Sequence, residues 1–318
     1  MKALLPLAAV YGIVVAAKNE LYDRGVLRPQ RLRWPVVSVG NLTVGGAGKT
    51  PFVIALIEAL RRHGYQCDVL SRGYGRRSKG VLMVEPAGTA DEFGDEPLMI
   101  ARQTGAPVFV GESRYEAGLL AERYDAQDER IHLLDDGFQH RKLSRYMDIV
   151  LLSREDVEDD LLPAGRLREG VRSLARADEI AVEERFALPL SARDKALIRY
   201  RRSLKVEHAP KPIAFCGIAR PERFFRDLTH YGIGSALDLA FSDHHRYSDK
   251  DIAKLVELGE QYEAASFLTT AKDAARLTVE QRARLQPLFV AELKVDFEEP
   301  DRVVSSVLST IAARGGHA

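Results

Sequence analysis

The stretch VSVGNLTVGGAGKTPF, residues Val37 to Phe52, decides how the rest of the chain is read. An apolar run enters a glycine loop, and an amphipathic pattern, TPFVIALIEALRRHG, leaves it. Strand, loop and helix in that order make an anion cradle. Gly45, Gly46 and Gly48 let the backbone curl until its N–H groups converge, and the helix start adds a positive dipole end. Thr43, Val44 and Ala47 complete the loop. Lys49 is placed to reach the outer phosphates of a nucleotide, and the Thr50 hydroxyl to reach Mg²⁺. The usual spacing asks for glycine where Thr43 stands. Gly40 and the Gly45–Gly46 pair point to a variant loop rather than a failed one.

A phosphate loop needs a carboxylate near its metal. IHLLDDGFQH supplies Asp135 and Asp136 at the end of an apolar strand. Strand alternation puts the two on opposite faces and leaves open which one meets the metal. FGDEPLM sets Asp95 and Glu96 at an apparent helix start, where an isolated aspartate reads first as a cap. SRGYGRRSKG brings Arg72, Arg76, Arg77 and Lys79, and AGRLREG brings Arg166, Arg168 and Glu169. Arginines on loops after strands suit phosphate oxygens. FSDHHRYSD carries His244 and His245, with no further ligands at metal spacing. A histidine paired with a carboxylate for proton handling is the better functional reading.

At 318 residues the chain has room for two domains. Its 46 basic and 46 acidic residues cancel, so no bulk field favours nucleic acid. Cys67 and Cys216 lie far apart in apolar strings and read as buried free thiols in a reducing setting. From Pro35 onward short apolar runs alternate with amphipathic stretches. That predicts an α/β fold, P-loop NTPase-like, whose mostly parallel sheet carries helices on both faces. The pattern blurs between Glu155 and Pro210, and a hinge is placed near the end of that stretch. A smaller C-terminal α/β domain starts at PIAFCGI. The expected organisation is an apolar and basic N-terminal region (1–33), a nucleotide-binding domain (34–205) and the smaller domain (206–318), with a frayed RGGHA tail.

The apolar run from Ala3 to Ala17 falls short of the roughly 20 residues of a membrane span. Export as a signal peptide would part the loop from its nucleotide. Leu4, Ala8, Tyr11 and Val15 follow helical spacing, and Lys18, Arg24, Arg28, Arg31 and Arg33 follow them. A helix lying on anionic lipid and a helix packed on the protein's own core both satisfy these residues.

Together VSVGNLTVGGAGKTP, LSRGYGR, GDEP, LDDGFQHRKL, LLPAGRLRE and FSDHHRYSD resemble the tetraacyldisaccharide 4′-kinase family, over nearly the whole chain and in order. Thr43 fits that family's own loop. The resemblance implies transfer of the ATP γ-phosphoryl, with Mg²⁺, to the 4′-hydroxyl of a tetraacylated disaccharide 1-phosphate in lipid A synthesis. It implies a peripheral or monotopic enzyme at the cytoplasmic face of the bacterial inner membrane, anchored by the N-terminal helix, with no protein partner. Carried over by position, it implies Lys49 and Thr50 for phosphate and metal, Asp95 as base and His244 as its partner. Asp135 and Asp136 become the acids near the metal, and Glu96, Arg168 and Glu169 further active-site residues. Asp95 and His244 fall in different domains, so hinge closure would assemble the site.

A GTPase switch would need an Asn-Lys-x-Asp guanine reader, and TTAKD, the nearest string, holds Lys272 one place out of register. A scaffold would leave Asp95, His244 and the loop without a shared purpose.

Overall fold

The computed structural model describes residues 4–124, 129–183 and 185–315. The end of the RGGHA tail, the start of the Ala3–Ala17 run and the last residues of the helix predicted at SRYEAGLLAERYDA lie outside them. The chain opens with α1 (Leu5–Asp23), β1 (Val36–Asn41), α2 (Lys49–Arg62), β2 (Cys67–Ser71), β3 (Leu82–Met83), α3 (Ala90–Phe93), α4 (Asp95–Thr104) and β4 (Val108–Val110). It continues with α5 (Arg114–Tyr124), β5 (Ile131–Asp135), β6 (Met147–Leu151), α6 (Arg154–Glu158), β7 (Glu179–Val182) and β8 (Ala196–Lys205). Then come β9 (Pro212–Cys216), α7 (Pro221–His230), β10 (Leu237–Ala240), α8 (Asp249–Gln261) and β11 (Ser266–Thr270). The chain ends with α9 (Ala271–Ala274), α10 (Val279–Arg284), β12 (Leu288–Phe297) and α11 (Pro300–Gly315).

The strands form one sheet, ordered β10-β9-β11-β12-β8-β7-β6-β1-β5-β2-β4-β3. Pairing is parallel except at β3–β4 and at β12–β8. The second exception shapes the molecule. Residues 196–199 of β8 pair with β7, and residues 288–291 of β12 pair with β11. Their remaining halves pair only with each other, from Tyr200↔Phe297 to Lys205↔Glu292. This two-stranded ribbon reverses strand direction, so the carboxyl ends of the parallel strands on its two sides face each other across a gap.

The sequence pattern conceals β7 and β8. In ALIRYRRSLK the arginines interrupt the apolar positions, yet Ile198 and Tyr200 are buried and the strand occupies the middle of the sheet. The ribbon is fastened by α2, the helix that follows the glycine loop. Phe52 lies edge-on to Tyr200 and Phe297, at 5.6 and 5.0 Å between ring centres. Truncating such a buried ring costs about 3–5 kcal/mol. The closing helix also returns to this core: Val303, Val304 and Val307 of α11 pack with α2 residues and Tyr200. Ile213, Phe215, Ile252 and Leu255 build a separate core beyond the ribbon. Cys67 and Cys216 are buried free thiols, as their strings predict.

His132 on β5 is fully buried and fixes the opposite flank. Its Nδ1 lies 2.7 Å from Asp68 of β2 and its Nε2 3.6 Å from Glu122 of α5. Burial alone would lower its pKa, but these two carboxylates push it up to about 9. A raised histidine pKa stabilises the fold fully below the unfolded value, about 6.5, and the contribution is lost as pH rises through 9. The melting temperature should therefore fall between pH 6.5 and 9, and Asp68→Asn should flatten that fall. Thermal melts across the range check it.

Candidate active site

Loops from both sides of the ribbon line one cleft of about 800 Å³, within the usual range for ligand sites. Gly45 and Gly48 take φ of 85° and 77°, which L side chains rarely adopt, so the loop curls as its glycines predict. Gly40 serves packing instead: a Cβ there would stand 2.6 Å from Cβ of Phe138. Thr43 is fully buried. Its hydroxyl accepts from Asn41 Nδ2 at 2.9 Å and donates to Asp156 at 3.1 Å. The next N–H, of Val44, donates to the carbonyl of Arg166. The threonine in place of glycine thus ties the loop's start to the AGRLREG turn and to α6.

Lys49 Nζ donates to Asn41 Oδ1 at 2.9 Å and lies 3.4 Å from Asp136. Arg168 grips Asp136 with both terminal nitrogens, at 2.8 and 2.7 Å, and also reaches Asn41 Oδ1. Burial would raise the Asp136 pKa, but Lys49 and Arg168 hold it well below the usual carboxylate range. Asp135 is the opposite case. It is buried at the end of β5, and its Oδ1 has no hydrogen-bond partner. Burial, then the like charges of Glu96 and Asp136, push it up to about 7. The two acids do not point to opposite faces as alternation predicts. β5 stops at Asp135, and Asp136 turns left-handed with φ of 53°, so both line the cleft.

On the same side of the ribbon as the glycine loop, Asp95 begins α4, and its Oδ1 accepts from the backbone N–H of Glu96 at 3.0 Å. Its Oδ2 receives Nε of Arg276 at 2.9 Å and Nη2 of the same side chain, and stands 3.1 Å from His244 Nδ1. Burial would raise this carboxyl too. The hydrogen bond from His244 and the charges of Lys272 and Arg276 hold it well below its ordinary value. His244 reaches in from a left-handed residue, φ 56°. His245 points elsewhere, stacking on Phe241 and pairing with Asp251. Glu96 lies 2.9 Å from Lys272 Nζ. Arg72 lines the cleft. Glu169 does not line it: its carboxylate accepts from Asn19 of α1 and from Arg176, tying the first helix to the cleft wall.

The structure adds residues that motif reading passes over. Asn41 holds both Lys49 and Arg168. Arg114 lines the cleft, buried, and burial pulls it down to about 10. Lys272 lies in the TTAKD string, whose one visible clue was its near-match to a guanine reader, and Arg276 follows three residues after it.

The family model for tetraacyldisaccharide-1-P 4′-kinase matches residues 1–312. The chain belongs to the tetraacyldisaccharide 4′-kinase family. It is 43% identical to the tetraacyldisaccharide 4′-kinase of Koribacter versatilis, over 98% of this chain and 99% of the relative. It is 36% identical to that of Aquifex aeolicus, over 95% and 96%. The fold superposes on the crystal structure of LpxK from Aquifex aeolicus in complex with ATP, with a TM-score of 0.80 at 33% identity, covering 97% of this chain and 98% of that one. The family's α/β architecture, with its mostly parallel sheet, is the one the alternating pattern predicts.

The cleft suits a divalent cation held jointly by protein and nucleotide. Among the described residues no three His, Cys, Asp or Glu side chains form a cage. Mg²⁺ on one or two carboxylates plus phosphates needs none, and the unpartnered Asp135 oxygen beside two like charges gives it a seat. The same repulsion carries a prediction. A carboxyl raised to about 7 weakens the fold progressively from about pH 4 upward and fully above 7. Asp135→Asn should therefore stabilise the Mg²⁺-free protein at pH 8, by ~1 kcal/mol or more, and far less at pH 4. Melts at the two pH values check it, and a variant melting below wild type at pH 8 would refute the charge reading.

Proposed function

We infer that this protein transfers the γ-phosphoryl group of ATP to the 4′-hydroxyl of a tetraacyldisaccharide 1-phosphate, a step of lipid A synthesis. One observation carries the reading: the glycine loop with its Lys49–Asp136–Arg168 cluster shares a single cleft with His244, whose Nδ1 lies 3.1 Å from the buried Asp95. Phosphoryl transfer depends on positioning and charge neutralisation more than on covalent chemistry. The N–H groups of residues 45–50 cradle the phosphates, and Lys49 and Arg168 neutralise the transferred group. Thr50 and Asp135 would hold Mg²⁺, which would draw charge from the phosphate oxygens. Asp136, already gripped by two cations, keeps those side chains in place.

Proton handling belongs to Asp95 and His244 together. A carboxylate held well below its usual pKa, with both oxygens engaged, is a weak base. His244 donates from Nδ1 to Asp95 and directs Nε2 to the side of Lys272, 3.3 Å away. In this arrangement His244 takes the proton of the sugar hydroxyl and Asp95 orients it, the same logic as a carboxylate-oriented catalytic histidine elsewhere. The roles implied by the resemblance are thereby exchanged within the same pair. His244→Ala should lower turnover about 10²–10⁴-fold while leaving ATP binding intact. The assay is label transfer from γ-labelled ATP to the disaccharide in detergent micelles. Folded wild-type protein that labels no lipid would sink the function; an active His244→Ala variant would sink the base assignment.

The lipid surface is the first helix. No helix among the described residues is long and apolar enough to cross a membrane. Of the residues of α1 only Ala8 is buried, while Leu5, Leu7, Val10, Ile13 and Val14 are exposed. Such a face lies in the headgroup boundary, and the basic residues after it favour anionic lipid. This docks the enzyme peripherally on the cytoplasmic face of the bacterial inner membrane and keeps acyl chains in lipid while the sugar enters the cleft. The organisation is an N-terminal docking region (1–33), a nucleotide-binding part (34–205) and a smaller part (206–318), with the β8–β12 ribbon as the hinge. Ile13→Asp with Val14→Asp should weaken flotation with anionic liposomes by about tenfold or more; unchanged flotation would refute the surface.

A further inference from the structure

Arg276 and Lys272 have no part in the mechanism above, yet they are the densest polar link between the two sides of the cleft. Arg276 is 5% exposed at its side chain and saturated with partners. Nη1 donates to the carbonyl of Gly217 at 2.8 Å and to Asp273 Oδ1 at 2.9 Å. Nε and Nη2 both go to Asp95 Oδ2. Asp273 is itself fully buried and held from several directions. Its Oδ1 accepts from the N–H of Gly217 and the hydroxyl of Tyr247, each at 2.9 Å, and its Oδ2 accepts from Thr270. Tyr247 belongs to the same segment as His244, and Gln281 pins its carbonyl. The socket that receives Asp95 is therefore built from β9, β11, α9 and the histidine loop. Beside it Lys272 takes Glu96 at 2.9 Å.

We propose that Arg276, seated on Asp273, is the positioning residue of the Asp95–His244 pair, and that with Lys272 it latches the two sides of the cleft in the reactive arrangement. The proposal rests on the dyad reading above. Its reasoning is geometric. Asp95 stands on α4 and His244 beyond the ribbon, and the two meet at one oxygen, Asp95 Oδ2. A carboxylate that only His244 held could rotate about its own bond. A planar guanidinium fixed at its far end by a carbonyl and a buried carboxylate removes that freedom, because its fork accepts one orientation. Losing the fork would leave the nucleotide loop untouched, since among the described residues Arg276 makes no hydrogen bond or ion pair to residues 43–50. It would loosen the oxygen that orients the imidazole. A lysine at 276 retains the charge and part of the reach but not the fork.

The test uses the full chain with ATP, Mg²⁺ and the tetraacyldisaccharide 1-phosphate in detergent micelles. Wild type is compared with Arg276→Gln, Arg276→Lys and Lys272→Gln, alongside Asp95→Ala and His244→Ala. Arg276→Gln should lower kcat about 10²-fold with the KM for ATP within about twofold. Arg276→Lys should recover about tenfold or more of that loss, and Lys272→Gln should raise the KM for the lipid acceptor more than that for ATP. A folded Arg276→Gln protein with wild-type kcat overturns the proposal. So does a loss that appears in the KM for ATP rather than in kcat. If Arg276→Gln does not fold, Arg276→Lys decides: turnover as low as that of Asp95→Ala overturns the positioning role, because a retained charge should rescue it. Wild-type turnover by Asp95→Ala and His244→Ala brings down the dyad reading and this proposal with it. Silencing of those two with an active Arg276→Gln brings down the latch alone.

Discussion

Everything at the cleft depends on the reversed pairing of β8 with β12. In a sheet of parallel strands all carboxyl ends emerge on one edge, and ligands bind in the crevice outside that edge. Here the chain builds two such edges and turns one toward the other. The reversal is confined to the pairs between Tyr200↔Phe297 and Lys205↔Glu292. Because the ribbon has only two strands, its backbone hydrogen bonds link the halves without filling the space between them. The loops after β1, β5 and β2 then confront those after β9, β10 and β11. The Phe52 contacts tie the ribbon to the helix that starts at Lys49.

Charge is distributed across the cleft with a purpose. Two carboxyls are neutralised by fixed cations, Asp136 by Lys49 and Arg168, and Asp95 by Lys272 and Arg276. Asp135 has no ion pair among the described residues, and burial with the like charges of Glu96 and Asp136 outweighs the pull of Lys49 and Arg114. Burying a carboxylate unpaired is costly, so a protein retains one where a ligand supplies the missing partner. The difference between neighbours Asp135 and Asp136 arises from a single left-handed residue. One acid is thereby paired with Lys49 and Arg168, and the other has no ion pair among the described residues.

The parts legible in the sequence are those that local rules govern. The glycine loop and the alternating pattern obey short-range geometry, and the loop, its helix and the parallel sheet are where those rules put them. Thr43 is different in kind. Its side chain meets Asp156, 113 positions away, so no local rule explains why threonine replaces glycine there. The ten residues of β8 were hidden by their arginines, since a strand whose outer face carries Arg199 and Arg201 reads as a charged linker. Lys272 and Arg276 were hidden for another reason. Their partners Glu96 and Asp95 lie more than 170 positions earlier, and nothing near TTAKD announces a carboxylate.

The first helix is joined directly to the glycine-loop side of the cleft. Tyr11 of α1 donates its hydroxyl to the carbonyl of Arg168 at 3.0 Å, and Asn19 donates to Glu169. Arg168 is the side chain that grips Asp136. The helix whose apolar face is exposed is therefore two hydrogen-bond steps from the phosphate cluster. A helix packed only through its apolar face could slide; one pinned by Tyr11, Asn19 and the Arg141 contact to Asp23 has a fixed rotation about its axis. That rotation presents Leu7, Val10 and Val14 outward while Lys18 lines the cleft. Glu169, implied as an active-site residue, stands outside the cleft and ties α1 to Arg176.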